Sequence, residues 1–183
     1  MGLKEHWLRD LILIALGALF VLAVSGSSHG EEQKGGLLPE HRVILQKATG
    51  CTGDEPVCGI DMNYGGVLED FLHATWVIIG YDLNIAVLGE CGSSCELLME
   101  WAAGHVCMSE KATLIFHQGW QPTEKKYIPN RHIYPIQKWI DQHGGEPTTL
   151  ERRAMLEMSG ADALATGVWR HCEIESGKLV LKD

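Results

Sequence analysis

One continuous segment in the middle of the chain constrains the fold more than any other. Residues 84–88 are mostly apolar and predict a short buried strand. Residues 89–94 are rich in glycine and serine and predict a tight turn. Residues 95–103 are again mainly apolar and are followed by glycine, which is typical of a helix with a glycine stop. Residues 111–117 predict a second strand, which ends at His117, so the segment fits an α/β fold.

The predicted turn contains two serines, Ser93 and Ser94, at the start of the predicted helix. The first amides of a helix and its dipole favour developing negative charge at that point. A histidine at the end of a nearby strand could act as the base for a serine placed there. Serine is also an ordinary helix N-cap, so the local pattern leaves both interpretations open.

A second turn with catalytic potential lies upstream. An apolar strand is predicted to end at Asn63 and Tyr64, and Gly65 and Gly66 follow it before an amphipathic helix that runs to about Ile79. Two glycines after a strand allow backbone N–H groups to point into a site, as an oxyanion hole requires. A plain strand-to-helix turn can also contain such a pair.

The N-terminus bears on the compartment. Lys4 and Arg9 precede an apolar stretch over residues 11–24, and small polar residues follow. This three-part pattern predicts that residues 1–27 are a secretory signal peptide, with an uncleaved N-terminal membrane anchor as the alternative. We therefore expect a periplasmic or secreted protein, with anchoring to the inner membrane by this segment left open. Residues 28–40 predict a flexible linker and residues 41–183 the folded domain.

Charge and cysteine content narrow the function further. The formal net charge of −9 argues against a nucleic-acid partner. An even number of cysteines, six, predicts disulfides in an exported chain. The expected pairings are Cys51–Cys58, Cys91–Cys95 and Cys107–Cys172. Connectivity cannot be read from sequence, and a Cys/His metal site is the alternative for the first pair, although the absence of C-x-x-C pairs counts against it. We expect no cofactor and no metal ion.

The remaining elements follow from periodicity. The sequence predicts a first strand over residues 42–47, helices over residues 133–142, 147–158 and 161–166, and a last strand over residues 179–181. The segment between residues 119 and 131 predicts a long loop, of the kind that often forms a lid or a substrate-binding element.

The order of these motifs resembles the proteolytic subunit of Clp protease, in the ClpP/crotonase fold. The closer resemblance is to small exported ClpP-like serine peptidase homologues of bacteria, with a Cys-x-Ser-x-Cys nucleophile turn. The matching residues are Asn63-Tyr64-Gly65-Gly66, Cys91-Gly92-Ser93-Ser94-Cys95, His117-Gln118, Tyr134-Pro135, Trp139-Ile140 and His143-Gly144-Gly145. The resemblance implies a ββα superhelix with short parallel strands and flanking helices.

The resemblance also implies roles for individual residues. Ser93 would be the nucleophile, with Ser94 as the alternative, and His117 the base. The backbone N–H groups of Gly66 and Ser94 would form the oxyanion hole. Counting back from the closing glycine of the family pattern gives Glu151 as the acid. Other candidates for supporting residues are Asp141, Asp162 and, for a Ser-Lys dyad, Lys111.

We therefore expect an exported serine hydrolase, and within that class a peptidase acting on a peptide or protein. The alternative is a catalytically inactive ClpP-like domain that binds a peptide or partner in the same cleft. A crotonase-type coenzyme A enzyme is a weaker interpretation, because export removes its cofactor. A homo-oligomer is compatible with the family, but the short, proline-containing segment over residues 119–131 argues against a tetradecameric barrel.

Overall fold

The computed structural model describes residues 36–175 and 178–182. Within that part of the chain the α-helices are α1 (Pro39–Thr49), α2 (Leu68–Gly80), α3 (Ser94–Trp101), α4 (Tyr134–Gln142) and α5 (Gly160–Ala165). The strands are β1 (Cys58–Asn63), β2 (Ile85–Gly92), β3 (Val106–Met108), β4 (Thr113–Phe116), β5 (Gly119–Gln121), β6 (Lys126–Ile128), β7 (Leu156–Ser159), β8 (Arg170–Glu175) and β9 (Lys178–Lys182). Short 3-10 turns cover Ala103–His105 and Arg152–Ala154.

Strand β2 is the centre of a curled, mixed sheet. Along one side it pairs in parallel with β1. Along the other side its first half pairs in parallel with β3 and its second half with β4. Strand β8 continues the sheet beyond β3 in parallel, whereas β7 on β4 and β9 on β8 are antiparallel. The fold is therefore α/β with mainly parallel pairing at its centre, as the sequence predicts, and β5 and β6 form a separate hairpin.

A glycine in the middle of β2 lets two strands approach closely. The pairing with β1 shifts register between Ile60 and Met62, which is a β-bulge. A Cβ atom on Gly89 would lie 2.0 Å from the carbonyl oxygen of Asp61, so only glycine fits there. The prediction of a turn over residues 89–94 was therefore too long: the strand continues to Gly92, because glycine here accommodates a bulge and a close neighbour.

The core lies between the sheet and the helices packed on it. The sheet contributes Ile85, Val87, Leu114 and Phe116, and the helices contribute residues that are equally buried. Those helical residues include Leu45 of α1, Phe71 and Ile78 of α2, Leu98 and Met99 of α3, and Ile136 and Ile140 of α4. Burying these apolar surfaces, at about 25 cal/mol per Å² of area removed from water, holds α2 and α3 against the strands that precede them.

The predicted first strand over residues 42–47 is wrong, because this segment lies inside helix α1. Local signals for a helix are present at both ends. Pro39 occupies the first turn with Glu40 beside it, and Gly50 ends the helix in the left-handed conformation, at φ 83°. The alternation of apolar and polar residues that suggested a strand is too short to outweigh them. Leu37, which lies within the predicted linker, is the first buried side chain among the described residues, so the packed domain includes residues before His41.

The predicted helix over residues 147–158 is also wrong. The segment is irregular except for the 3-10 turn, and then forms β7, which pairs with β4 through Thr113↔Ser159 to Phe116↔Leu156. Pairing with β7 covers the otherwise open edge of β4. Local helix propensity takes no account of this long-range stabilisation. The helices predicted over residues 133–142 and 161–166 are confirmed as α4 and α5, and the last strand is confirmed as β9.

Three disulfides are present, and they are the expected ones. Cys51–Cys58, Cys91–Cys95 and Cys107–Cys172 have Cα–Cα distances of 5.8, 5.4 and 5.5 Å. Disulfides of this kind indicate an oxidising compartment outside the cytoplasm. Among the residues that the structure describes, no helix is both long and apolar enough to cross a membrane. The predicted signal or anchor segment over residues 1–27 lies outside the described residues.

Candidate functional site

Three neighbouring parallel strands end at one edge of the sheet. Each is followed by a residue that the sequence indicates as a candidate for a functional site. Asn63 of β1 pairs with Cys91 of β2, and Gly92 of β2 pairs with Ile115 of β4. Because these strands are parallel, their carboxyl ends lie at the same edge of the sheet. That edge carries the Gly65-Gly66 turn after β1, Ser93 after β2 and His117 after β4. This is the edge at which open α/β sheets usually form their sites.

Ser93 adopts a strained backbone conformation at this edge. Its φ of 56° and ψ of −129° lie in a region that residues other than glycine rarely occupy. Its N–H donates a hydrogen bond of 3.0 Å to the carbonyl of Ile115, and its own carbonyl accepts from the N–H of Glu96 in the first turn of α3. The strain sharpens the turn from strand to helix, an arrangement that exposes a serine hydroxyl in hydrolases with a nucleophile elbow.

Ser94 is held in a different way. Its side chain is 5% exposed, and its hydroxyl donates a hydrogen bond of 2.9 Å to the carbonyl oxygen of Gly66. The hydroxyl of Ser94 therefore ties the start of α3 to the glycine turn and is committed to that contact. Ser93, in contrast, lines a cavity. Of the two serines, Ser93 is the one that lines this cavity.

The backbone amides around the glycine turn differ in whether they already donate a hydrogen bond. The N–H of Gly65 donates to Oδ1 of Asn63 at 2.9 Å, so it is already used. Within the described part of the chain, the N–H groups of Gly66 and Ser94 have no hydrogen-bond partner. Ser94 is the first residue of α3, where amides have no intrahelical acceptor. These two amides are the ones that the sequence assigned to an oxyanion hole.

Gly65 brings the glycine turn against the serine turn. Its φ is +77°, and a Cβ atom there would lie 2.7 Å from both the carbonyl oxygen of Gly92 and the amide nitrogen of Ser94. No other residue type fits both the conformation and the space. Gly66, which follows, has ordinary room, since its Cβ would meet only the Phe71 ring at 3.6 Å.

His117 is buried, at 6% exposure, and its ring is oriented by the backbone. Nδ1 lies 2.8 Å from the carbonyl oxygen of Gln118. A carbonyl can only accept, so Nδ1 carries the proton in this contact and Nε2 is the unprotonated nitrogen of the neutral ring. Asn130 supports the same segment by donating from Nδ2 to the His117 carbonyl at 2.9 Å.

The carboxylates considered as a third catalytic member have other surroundings. Glu151 is exposed, and its backbone N–H donates to Oγ1 of Thr149. Asp141 accepts from Gln137, and Asp162 takes part in the N-cap of α5. In a triad a carboxylate holds the Nδ1 proton of the histidine, whereas Nδ1 of His117 contacts the backbone carbonyl of Gln118.

A cavity of about 530 Å³ opens at this edge of the sheet. Ser93, His117 and the glycine turn line it together with residues of the β5–β6 hairpin and of the segment before β7. Its lining consists of Tyr64, Gly65, Gly66, Gly92, Ser93, Ile115, His117, Trp120, Leu150, Arg152 and Met155. The size is ordinary for a binding pocket and the walls are largely apolar. The segment over residues 119–131, predicted as a long loop, contains the β5–β6 hairpin and supplies Trp120 to the lining. Lys111 lines a separate cavity.

A polar network borders the cavity. The Tyr64 hydroxyl donates to Glu90 at 2.5 Å, and the Arg152 guanidinium lies 3.4 Å from Glu90 and 2.5 Å from Glu157. The hydrogen bond from Tyr64 and the nearby Arg152 charge hold the pKa of Glu90 below its usual value. Glu90 therefore stays ionised at the mouth and fixes the position of Arg152. Tyr64 belongs to the glycine turn, but Glu90, Arg152 and Glu157 belong to no local motif and could not be selected from the sequence.

A second group of titratable side chains lies in the interior behind α3. Glu96, Glu100 and His132 have side chains that are at most 1% exposed, and Glu146 is 5% exposed. Burial lowers the pKa of His132, but the hydrogen bonds that its ring donates to Glu100 and Glu146 outweigh this effect and raise it to about 9. Burial raises the pKa of Glu96 well above its usual value, and the neighbouring Glu100 adds to the effect.

This buried cluster was not predicted, although one signal was present. Two glutamates four residues apart, Glu96 and Glu100, interrupt a helix that is otherwise apolar on every side. Spacing of four places both on one face of a helix. The partner His132 is distant in sequence and could not be inferred.

No protein-family model matches the chain, and no curated protein sequence matches it.

Proposed function

We propose that the protein is a serine hydrolase in which Ser93 is the nucleophile and His117 the base. The observation that carries this proposal is the shared cavity: Ser93, at a strained strand-to-helix turn, and the buried His117 line it together with Gly66. A single serine or histidine would not support the proposal, because either is common at such positions. Their convergence from the ends of parallel strands with two free amides does support it.

Each group has a definite task in the reaction. Nε2 of His117 removes the proton from the Ser93 hydroxyl as its oxygen attacks the substrate carbonyl. The N–H groups of Gly66 and Ser94 stabilise the negative charge that develops on the carbonyl oxygen, and one such donor is typically worth about 3–4 kcal/mol. His117 then protonates the leaving group. Water, activated by the same ring, hydrolyses the acyl-enzyme and returns the proton to Ser93.

Within this class we propose an exported ClpP-like peptidase. The glycine turn, serine turn and histidine strand follow in the order seen in that family, and the strands that carry them are adjacent and parallel. The disulfides agree with export to the periplasm or beyond. The largely apolar walls, including Trp120 and Leu150, suit the side chains of a peptide. The N-terminal segment would serve as the signal or as an anchor in the inner membrane.

A serine-directed fluorophosphonate tests the proposal. The purified protein should be labelled at Ser93, Ser93→Ala should abolish labelling, and the folded Ser94→Ala should keep it. Peptide mapping of the adduct identifies the modified residue. Absence of labelling on protein with intact disulfides and normal circular dichroism would contradict hydrolysis and favour a domain that only binds a peptide or partner in this cavity.

A further inference from the structure

We propose that Glu96, Glu100 and His132 bind a divalent cation of the zinc class, at a buried site separate from the Ser93 cavity. None of these residues lines that cavity. The inference is independent of the proposed hydrolysis, because it depends only on the interior contacts of α3 with the segment before α4.

The three side chains are arranged as a ligand set. Glu96 and Glu100 lie one turn apart on the same face of α3, and His132 approaches that face from the segment before α4. One donor atom from each residue lies within 4.8 Å of the others. Nδ1 of His132 is 2.6 Å from Oε1 of Glu100 and 3.6 Å from Oε2 of Glu96. Small side-chain rotations would bring these atoms to about 2.0–2.2 Å from one ion.

Glu96 provides the independent evidence for a ligand. Its side chain is fully buried, and neither carboxylate oxygen accepts a hydrogen bond from any described residue. A buried ionised carboxylate without a hydrogen bond is strongly unfavourable, and the ion-pair contact with Nδ1 of His132, at 3.6 Å, is too long to supply one. Such a group needs either a cation or a proton of its own, and in the second case it would share that proton with Glu100. A cation satisfies both glutamates at once.

The groups around the proposed ligands match an outer shell. Nε2 of His132 lies 3.0 Å from Oε1 of Glu146, and the N–H of Ile133 donates to Oε2 of Glu100 at 2.7 Å. A ligating histidine usually donates its second N–H to a carboxylate, which orients the ring and raises its basicity. With Nδ1 on the ion, His132 donates to Glu146 in this manner.

The donor set indicates the class of ion. Two carboxylate oxygens and one imidazole nitrogen suit zinc, whereas magnesium and calcium prefer oxygen ligands alone. Three protein ligands leave a fourth position of a tetrahedron for water. The cysteines do not compete for zinc, because all six are in disulfides.

A cation here would tie α3 to the segment that supports His117. Asn130 joins the two regions: its side-chain amide donates 2.9 Å hydrogen bonds to Glu146 and to the His117 carbonyl. The ion would therefore act as a structural clamp behind the cavity, between the helix that follows Ser93 and the segment that follows His117.

Zinc alone is the probe for the test. The chelator-treated, dialysed protein should bind one equivalent of Zn²⁺ in isothermal titration calorimetry, and its melting temperature should rise with Zn²⁺. Glu96→Gln should weaken binding at least about 100-fold, since losing even an outer-shell partner typically costs 10–100-fold. The matched control is Glu110→Gln, which changes an exposed carboxylate and should bind like the wild type.

Two results would overturn the proposal. Folded wild-type protein that binds no Zn²⁺ at 100-fold molar excess has no such site, a result that does not depend on any variant. Binding that persists unchanged in Glu96→Gln, with native circular dichroism, places the ion elsewhere.

A further outcome identifies a proton shared between Glu96 and Glu100. In that case Zn²⁺ stabilises neither the wild type nor Glu96→Gln, and the two proteins are equally stable. Fluorophosphonate labelling of zinc-free protein keeps this outcome distinct from failure of the hydrolase proposal.

Discussion

The Ser94 hydroxyl is joined to the Gly66 carbonyl oxygen by a hydrogen bond of 2.9 Å. This contact connects two turns that lie far apart in the chain, and it holds the amide-bearing glycine turn beside the first turn of α3. It also separates the roles of two adjacent serines. The Ser94 hydroxyl ties the two turns together, whereas Ser93 lines the cavity.

Ser94→Ala should therefore destabilise the protein without removing the nucleophile. A buried hydrogen bond contributes about 0.5–1.5 kcal/mol, and the free energy of unfolding measured in urea should fall by that amount. Labelling by fluorophosphonate should persist at a reduced rate, because the Gly66 amide is less firmly held. Complete loss of labelling in a folded Ser94→Ala protein, together with labelling of Ser93→Ala, would reverse the assignment of the two serines.

Ser93→Gly should stabilise the fold while it abolishes reactivity. A non-glycine residue in this region of φ and ψ costs about 1–3 kcal/mol, and glycine relieves that strain at a smaller cost in unfolded-state entropy. We expect a net gain of about 1 kcal/mol in the free energy of unfolding. Ser93→Ala is the matched control: it removes the same hydroxyl but retains the strain. If the two variants are equally stable, the strain at Ser93 is not energetically significant.

The two glycines of the upstream turn should respond differently to alanine. A Cβ atom on Gly65 would meet the backbone of Gly92 and Ser94 at 2.7 Å, at a φ of +77°, so Gly65→Ala should lose at least about 2 kcal/mol of stability and most of its labelling. Gly66→Ala places its Cβ in ordinary contact with Phe71 and should fold normally. Thermal denaturation of both variants tests the difference. Equal melting temperatures would contradict the close approach at Gly65.

The sequence selected three residues that line one cavity, Gly66, Ser93 and His117, although it mispredicted some of the elements around them. Apolar runs that end in turns indicated the segments around Gly66, Ser93 and His117, because such patterns depend on short-range chemistry. The choice of these residues within those segments followed the resemblance to ClpP-like proteins. The acid was selected by counting alone. The structure instead offers the carbonyl of Gln118 to the histidine ring, and a backbone contact of this kind has no sequence signature.

Long-range pairing explains the errors in the fold. The local sequence of residues 156–159 does not favour a strand over a helix. These residues form a strand because β4 presents an open edge. The bulge at Gly89 could not be inferred, because the glycine is required by the Asp61 carbonyl on another strand. The buried Glu96 depends in the same way on a histidine that the sequence places far away.

Glu151→Gln should leave the reaction nearly unchanged. Glu151 is exposed, and the Nδ1 proton of His117 is already held by the Gln118 carbonyl. The second-order rate constant of fluorophosphonate labelling should remain within about twofold of the wild type, whereas His117→Ala should lower it to background. A loss of about 10³-fold or more in Glu151→Gln would show that this carboxylate does reach the ring during the reaction and completes a triad.

Loss of the Cys107–Cys172 disulfide should lower stability more than loss of Cys91–Cys95, whereas loss of Cys91–Cys95 should lower reactivity more. The chain-entropy estimate gives about 4 kcal/mol for Cys107–Cys172, which spans 65 residues, and about 2 kcal/mol for Cys91–Cys95, which spans 4. The paired alanine variants should therefore differ in urea midpoint, with loss of the long-range bridge being more damaging.

Labelling should show the reverse. The Cys91–Cys95 bridge encloses Ser93 and fixes the turn that carries it, so its removal should slow fluorophosphonate labelling more than removal of Cys107–Cys172, which joins β3 to β8 away from the cavity. Labelling rates should be compared without urea, at a temperature at which both variants are fully folded. The effect of each disulfide on reactivity is then separated from its effect on stability. Equal labelling rates would mean that the strained turn keeps its geometry without the bridge, held by the Ser93 N–H on Ile115 and by the packing of α3.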